Sequence, residues 1–136
     1  MKGMRLHHVA MAVTDRDIYE KTVTFYRNVL ELPLVRTWSN GSRHITMLDF
    51  GNGILEIVYG AEGAGTGVFS HIAVGLDHPE DVDDMLERCV KAGCRLVRPA
   101  SDADAVEEGE QGRHFCFRNG FCCGPAGESL EFFCEL

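Results

Sequence analysis

Four residues in this sequence stand where their side-chain chemistry demands a partner. Glu56 and Glu131 are lone carboxylates inside apolar, strand-like runs, Ile54-Leu55-Glu56-Ile57 and Leu130-Glu131-Phe132-Phe133. A charge in such a run is costly unless it is paired or bound to a cation. His8 and His71 sit in matching segments, Leu6-His7-His8-Val9-Ala10-Met11-Ala12-Val13 and Phe69-Ser70-His71-Ile72-Ala73-Val74-Gly75-Leu76. Period-two alternation puts His8 with Ala10 and Ala12 on one face, and His7, Val9, Met11 and Val13 on the other. The bulky side is expected to pack on helices, leaving His8 among small residues where a ligand has room. His71 repeats this, with Ala73 and Gly75 beside it and Ile72 and Val74 behind. Two imidazoles and two carboxylates make a mixed N/O donor set for one divalent cation, with bonds of about 2.0–2.2 Å. Ni, Zn, Co, Mn and Fe(II) suit that set better than calcium does, and the donors alone do not choose among them. His7, His44, His78 and His114 have no repeat partner and are read as surface or supporting residues.

The elements that must position these donors come in two copies. His8 and His71 are 63 residues apart (71 − 8), and each opens a strand followed by a helical pattern. In the first copy Ile18, Thr22, Phe25, Tyr26 and Val29 fall on one stripe; in the second Val82, Met85, Leu86, Cys89 and Val90 do. Pro79 suits a first helical turn, Glu80 and Asp81 favour its positive end, and Gly93 can supply a left-handed stop. Leu34-Val35-Arg36 and Leu96-Val97-Arg98 then match one another. A hairpin closes each copy, through Asp49-Phe50-Gly51-Asn52-Gly53 in the first and Gly124-Pro125-Ala126-Gly127 in the second. Asn52-Gly53 suits a tight turn. Each half therefore reads strand–helix–strand–strand–strand, an α+β arrangement of two tandem βαβββ modules, about residues 5–60 and 68–136, in one domain. The glutamates are 75 apart (131 − 56), so the second copy is twelve residues longer, and acidic Ser101 to Gly112 is expected to hold the extra length as a surface loop. Gly60 to Gly67 joins the halves.

Whole-chain properties remove several function classes. The 136 residues carry 21 acidic and 13 basic side chains, a formal net charge of −8. That balance opposes nucleic-acid binding, which needs a basic footprint, and docking on an anionic membrane. No apolar run approaches a membrane span of about 18 residues, and the N-terminus passes directly into a strand pattern with no room for a signal peptide. A cytoplasmic protein with a small-molecule partner is the expectation. The six cysteines are read as reduced and mostly packed: none forms a C-x-x-C pair, adjacent Cys122 and Cys123 would strain to bridge, and Cys116, Cys122, Cys123 and Cys134 have the wrong spacing for a zinc knot.

The pattern resembles the vicinal oxygen chelate superfamily, which includes glyoxalase I, methylmalonyl-CoA epimerase, extradiol dioxygenases and thiol-transferring fosfomycin-resistance proteins. Leu6-His7-His8-Val9-Ala10-Met11-Ala12-Val13, Phe25-Tyr26-Arg27-Asn28-Val29-Leu30, Ser70-His71-Ile72-Ala73-Val74 and Gly124-Pro125-Ala126-Gly127-Glu128-Ser129-Leu130-Glu131 look like its landmarks, in order, over nearly the whole chain. The resemblance implies paired βαβββ modules with pseudo-two-fold symmetry, forming a curved mixed sheet around a metal site, often in a homodimer. The ligand order histidine–glutamate–histidine–glutamate is that of metal-dependent bacterial glyoxalase I (lactoylglutathione lyase), whereas epimerases typically place glutamine where Glu56 stands. Dioxygenases and fosfomycin-resistance enzymes use two histidines and one glutamate. Glyoxalase I also carries an arginine and an asparagine that hold glutathione, at the positions of Ala12 and Gly60 here. Their absence argues against a glutathione substrate.

The chemistry so implied is a metal-dependent lyase or isomerase reaction on a substrate with two neighbouring oxygens. The cation acts as Lewis acid toward a developing enediolate while a carboxylate moves a proton between adjacent carbons. By the same resemblance Glu131 is the expected base and Glu56 its counterpart. Arg36, Arg43, Arg98 and Arg113 are candidates to hold a substrate anion, set against the ordinary surface role of arginine. Two other readings fit the same fold: an epimerase of a 2-substituted acyl-CoA, and a non-catalytic small-molecule binder of the bleomycin-resistance kind. Trp38 and the phenylalanines are candidates to line a cup or a dimer face, with core packing the commoner role.

Overall fold

A computed structural model of the chain describes residues 7–60, 71–106 and 114–136, without the side chains of Asn40, Val106, His114 and Phe115. The junction at 61–70, Arg113 and the 107–112 part of the expected surface loop lie outside the described residues. Contacts divide the chain into two compact units, Met1–Gly65 and Thr66–Leu136. Their division falls inside the glycine-rich junction.

The first unit runs β1 (His8–Val13), α1 (Arg16–Thr24), a π-helical turn (Phe25–Val29), β2 (Leu34–Asn40), β3 (Arg43–Asp49) and β4 (Ile54–Tyr59). Its sheet has the order β1-β4-β3-β2, with β1 parallel to β4 and the other pairs antiparallel. The second runs β5 (Ile72–Gly75), α2 (Pro79–Lys91), β6 (Arg95–Val106), β7 (His114–Cys123) and β8 (Ser129–Glu135), in the sheet order β5-β8-β7-β6. Both halves are therefore βαβββ modules with mixed four-stranded sheets, as the repeat requires.

Helix chemistry matches the sequence at both starts. Asp15 caps α1 by accepting from the Ile18 amide at 3.0 Å, and Thr22, Phe25 and Tyr26 are buried from the expected stripe. The buried Thr22 hydroxyl is satisfied by donating to the Ile18 carbonyl at 2.6 Å. Pro79 opens α2 with Glu80 and Asp81 in its first turn, and Gly93 follows with φ +104. Val82, Leu86 and Cys89 bury its inner face, while Ile18 and Val90 at the stripe edges stay exposed. On β1 only part of the bulky face is covered. Val13 is buried, Met11 half-buried and Val9 41% exposed, so cover grows toward the end where the chain turns into α1.

Two expectations change in form. The β3–β4 turn pivots on Gly51 (φ +92), closed by the Phe50 amide donating to the Gly53 carbonyl at 2.8 Å, with Asp49 accepting from the Gly51 amide. Glycine at the first central position of a two-residue loop is what a II′-type hairpin needs, so Gly51 takes the role expected of Asn52-Gly53. The second change concerns residues 101–106, which continue β6 instead of forming a loop. Their alternation puts Asp102 against Arg118 (2.9 Å) and Asp104 against Cys116 (3.3 Å) on β7, so the acidic side chains serve as cross-strand partners. Pro99 sits in this edge strand, where register shifts between Leu96 and Ser101 absorb its missing donor. The extra length of the second copy thus lengthens the β6–β7 hairpin.

Candidate metal centre

Register decides where the four donors stand. Glu56 on β4 lies opposite Ala10, two residues past His8 on the neighbouring parallel strand. Glu131 on β8 lies opposite Ala73, two residues past His71. In both halves the histidine and glutamate therefore share one sheet face, at the same relative position. His8 Nε2 stands 4.0 Å from Glu56 Oε2, and His71 Nε2 stands 3.0 Å from Glu131 Oε1. The glutamate side chains are 13% and 9% exposed, the histidines 42% and 37%. Each pair is thus a sunken carboxylate with a more open imidazole at its mouth.

Each half brings together one histidine and one glutamate of the expected set. Within either half, among the described residues, no three histidine, cysteine, aspartate or glutamate side chains gather into a larger ligand group. The donor pairs fit a divalent cation on geometry. Two atoms each about 2.0–2.2 Å from one ion lie no more than about 4.4 Å apart. Both observed separations fall within that span. The chemistry fits too: Nε2 and carboxylate oxygen are the atoms a transition metal takes from these side chains.

Beyond the pairs, the supporting residues differ. His8 Nδ1 meets His7 Nδ1 at 2.9 Å, the two rings edge to face. For His8 to offer Nε2 as a donor atom, its Nδ1 carries the proton and His7 accepts it. In the second half Asn119, buried on β7, donates from Nδ2 to Glu131 Oε2 at 2.7 Å. Arg98 Nη2 donates to Asn119 Oδ1 at 2.5 Å, and its guanidinium lies 5.2 Å from the centre of the Phe121 ring. The Phe121 and His71 rings stand edge to face, their centres 5.5 Å apart. Sequence reasoning had Arg98 only as an anion candidate and missed Asn119 and Phe121. An amide in a strand otherwise rich in phenylalanine and cysteine was the available signal, but Pro99 and the longer hairpin hide which residues it faces.

The remaining candidates fall elsewhere. Arg36 and Arg43 are exposed on β2 and β3. His44 and Trp38 line a cavity of about 240 Å3 between α1 and the β2–β3 end of the first sheet. Ser39 and His44 pair across its lining (3.1 Å), while the lining residues Tyr19 and Arg16 bond to Thr46 (2.6 Å) and Glu20 (3.4 Å) outside it. Tyr59, which also lines it, is three residues from Glu56 and so on the opposite sheet face. His78 precedes α2 as its cap position and makes no side-chain capping bond there. All six cysteines are free, with Cys89, Cys122 and Cys134 buried. Burial pushes the Cys94 thiol up to about 12, so it stays protonated at neutral pH.

The sequence matches the family model of the Glyoxalase/Bleomycin resistance protein/Dioxygenase superfamily over residues 5–107. That span includes His8, Glu56 and His71 and stops before Glu131. No curated protein matches the sequence. Among solved structures, a glyoxalase/bleomycin resistance protein/dioxygenase from Alicyclobacillus acidocaldarius aligns at TM-score 0.65 and 17% identity, covering 100% of this chain and 96% of that one. Lactoylglutathione lyase from Agrobacterium tumefaciens aligns at TM-score 0.62 and 17% identity, covering 98% and 96%. The fosfomycin resistance protein FosX from Listeria monocytogenes, in complex with Mn(II) and sulfate, aligns at TM-score 0.65 and 16% identity, covering 98% and 93%. At such identities the likeness is one of fold. Among the described residues no helix is long and apolar enough to cross a membrane.

Proposed function

The chain belongs to the Glyoxalase/Bleomycin resistance protein/Dioxygenase superfamily, and on that premise we propose that it is a metal-dependent lyase or isomerase. Its substrate is a small molecule with two neighbouring oxygens, and His8, Glu56, His71 and Glu131 together hold one divalent cation. The single observation that carries this reading is the duplicated pair: the same histidine–glutamate contact, at the same register, in both halves. One such pair is an ordinary buried ion contact. Two, built twice by a repeat, are four donors for one ion.

When bound, the cation supplies a Lewis acid for the oxygens beside the reacting carbons. The chain's own residues supply the rest. His8 and His71 present Nε2, and Glu56 and Glu131 neutralise the cation's charge. Glu131 takes the proton from the carbon next to the carbonyl and returns it to the neighbouring carbon, a general-base step that contributes about 10²–10⁴-fold. Small Ala10, Ala12 and Ala73 leave room over the same faces.

The substrate is something other than a glutathione hemithioacetal gripped in the manner of glyoxalase I. Gly60, at the position of that enzyme's asparagine, has φ +86, and a Cβ there would lie 2.8 Å from the Ser42 carbonyl oxygen. The backbone itself therefore resists the asparagine, and Ala12 offers no guanidinium.

Metal analysis of the purified chain, joined to a panel of hemithioacetals and 2-substituted acyl-CoA esters scored by solvent-deuterium incorporation, tests the reading. Near-stoichiometric transition metal with metal-dependent exchange is the expected result. A chain that takes up no metal on reconstitution, yet binds a small molecule, would place it with the non-catalytic binders of the superfamily.

A further inference from the structure

We propose that Arg98, Asn119 and Phe121 form a brace that fixes Glu131 and His71, so that the second half presents two aimed donors before any cation arrives. The proposal rests on the metal-dependent reading above and assigns to it three positioning residues, each acting through Glu131 or His71. Five contacts close a ring. Arg98 donates to Asn119, Asn119 donates to Glu131, and Glu131 meets His71. The His71 and Phe121 rings meet edge to face, and Phe121 lies under Arg98.

The polarity of the ring is fixed by its ends. A guanidinium has donors only, so the amide oxygen of Asn119 must face Arg98. Its NH2 group must then face Glu131, which as a carboxylate only accepts. Arg98 thereby sets which way the amide lies, although it is exposed and far along the chain from the glutamate. With Oε2 occupied by Asn119, Glu131 has Oε1 left to offer, and that is the oxygen beside His71 Nε2. Phe121 limits how the imidazole can turn, and the cation above its face limits Phe121 in turn. Partners of this kind typically change metal affinity by about 10–100-fold when removed.

The test titrates Co2+ into the metal-free full-length protein and follows both affinity and the visible spectrum. Asn119→Leu is expected to weaken affinity by about 10–100-fold and to alter the cobalt bands. Arg98→Met should give a smaller loss in the same direction, and Arg98→Lys, which restores a donor, should recover part of it. Thermal melting of the metal-free variants separates a lost brace from a lost fold, and the exposed Arg98 variants carry the test if Asn119→Leu does not fold. Wild-type affinity and spectrum in a folded Asn119→Leu or Arg98→Met protein would overturn the brace. A wild-type protein that takes up no Co2+ would instead overturn the functional reading on which it stands.

Discussion

The two halves place the same pair in the same register and then treat it differently. In the second, Glu131 is gripped at both oxygens, by Asn119 and His71, and stands 3.0 Å from its histidine. In the first, Ile45 occupies the position of Asn119 and Met47 that of Phe121, while Arg36 occupies that of Arg98. Among the described residues Glu56 then faces His8, at 4.0 Å. The opposite sheet faces diverge as well. Gly120, between Asn119 and Phe121, lets Leu86 of α2 come close over the sheet. At the matching position Thr46 is buried and meets the Tyr19 hydroxyl of α1 at 2.6 Å. A duplicated module thus repeats the donor register through strand pairing, whereas the residues around each pair differ: His7 beside His8 in one copy, and Arg98, Asn119 and Phe121 around Glu131 and His71 in the other. On the metal-dependent reading proposed above, the second half would offer the firmer donor pair and the oriented base, and the first half the looser pair.

The sharpest way to break this contrast is to remove each glutamate in turn. Glu131→Ala should abolish measurable turnover, a loss of at least about 10²–10⁴-fold, and weaken metal binding. Glu56→Ala should weaken metal binding with a smaller loss of turnover, read in the same exchange assay. Equal effects of the two variants would erase the proposed division between halves. Next in size is Gly120→Ala. Its methyl group would meet Leu86 and the backbone at Ala100 and Arg98, and overpacking of this kind costs about 1–3 kcal/mol in a denaturant melt. Removing the hydroxyl of the matching helix contact, with Tyr19→Phe, should cost about 1 kcal/mol. The smallest expected effect is acidic. The Arg118 hydrogen bonds hold the Asp83 carboxyl below its ordinary value. Its folded value being depressed, the stabilisation is present above the ordinary carboxylate range and is lost as pH falls through the folded value. Asp83→Asn should therefore flatten the acid limb of stability in the second half, measured as melting temperature against pH.

What was legible in the sequence is what repetition and periodicity encode. His8, Glu56, His71 and Glu131 could be aligned because strand alternation fixes a face and the repeat fixes a partner. Pro79, Gly93 and the helix stripes were legible for local steric reasons. Arg98–Asn119–Glu131 was not, because it depends on the pairing of β6 with β7, where register shifts around Pro99 break simple counting. The acidic 101–106 stretch looked like a loop because its polarity suggested solvent; the partners that make it a strand, Arg118 and Cys116, lie across the hairpin. Gly51 displaced Asn52-Gly53 as pivot because the closing bond joins Phe50 to Gly53, a choice of one residue that composition does not make.

Anomalous diffraction from crystals of the full chain grown with Zn2+ locates the cation and counts its ligands. One peak per chain is expected, about 2.0–2.2 Å from His8, Glu56, His71 and Glu131 alike. Two separate peaks, one on each histidine–glutamate pair, or a single peak touching only one of them, would contradict a single four-ligand site.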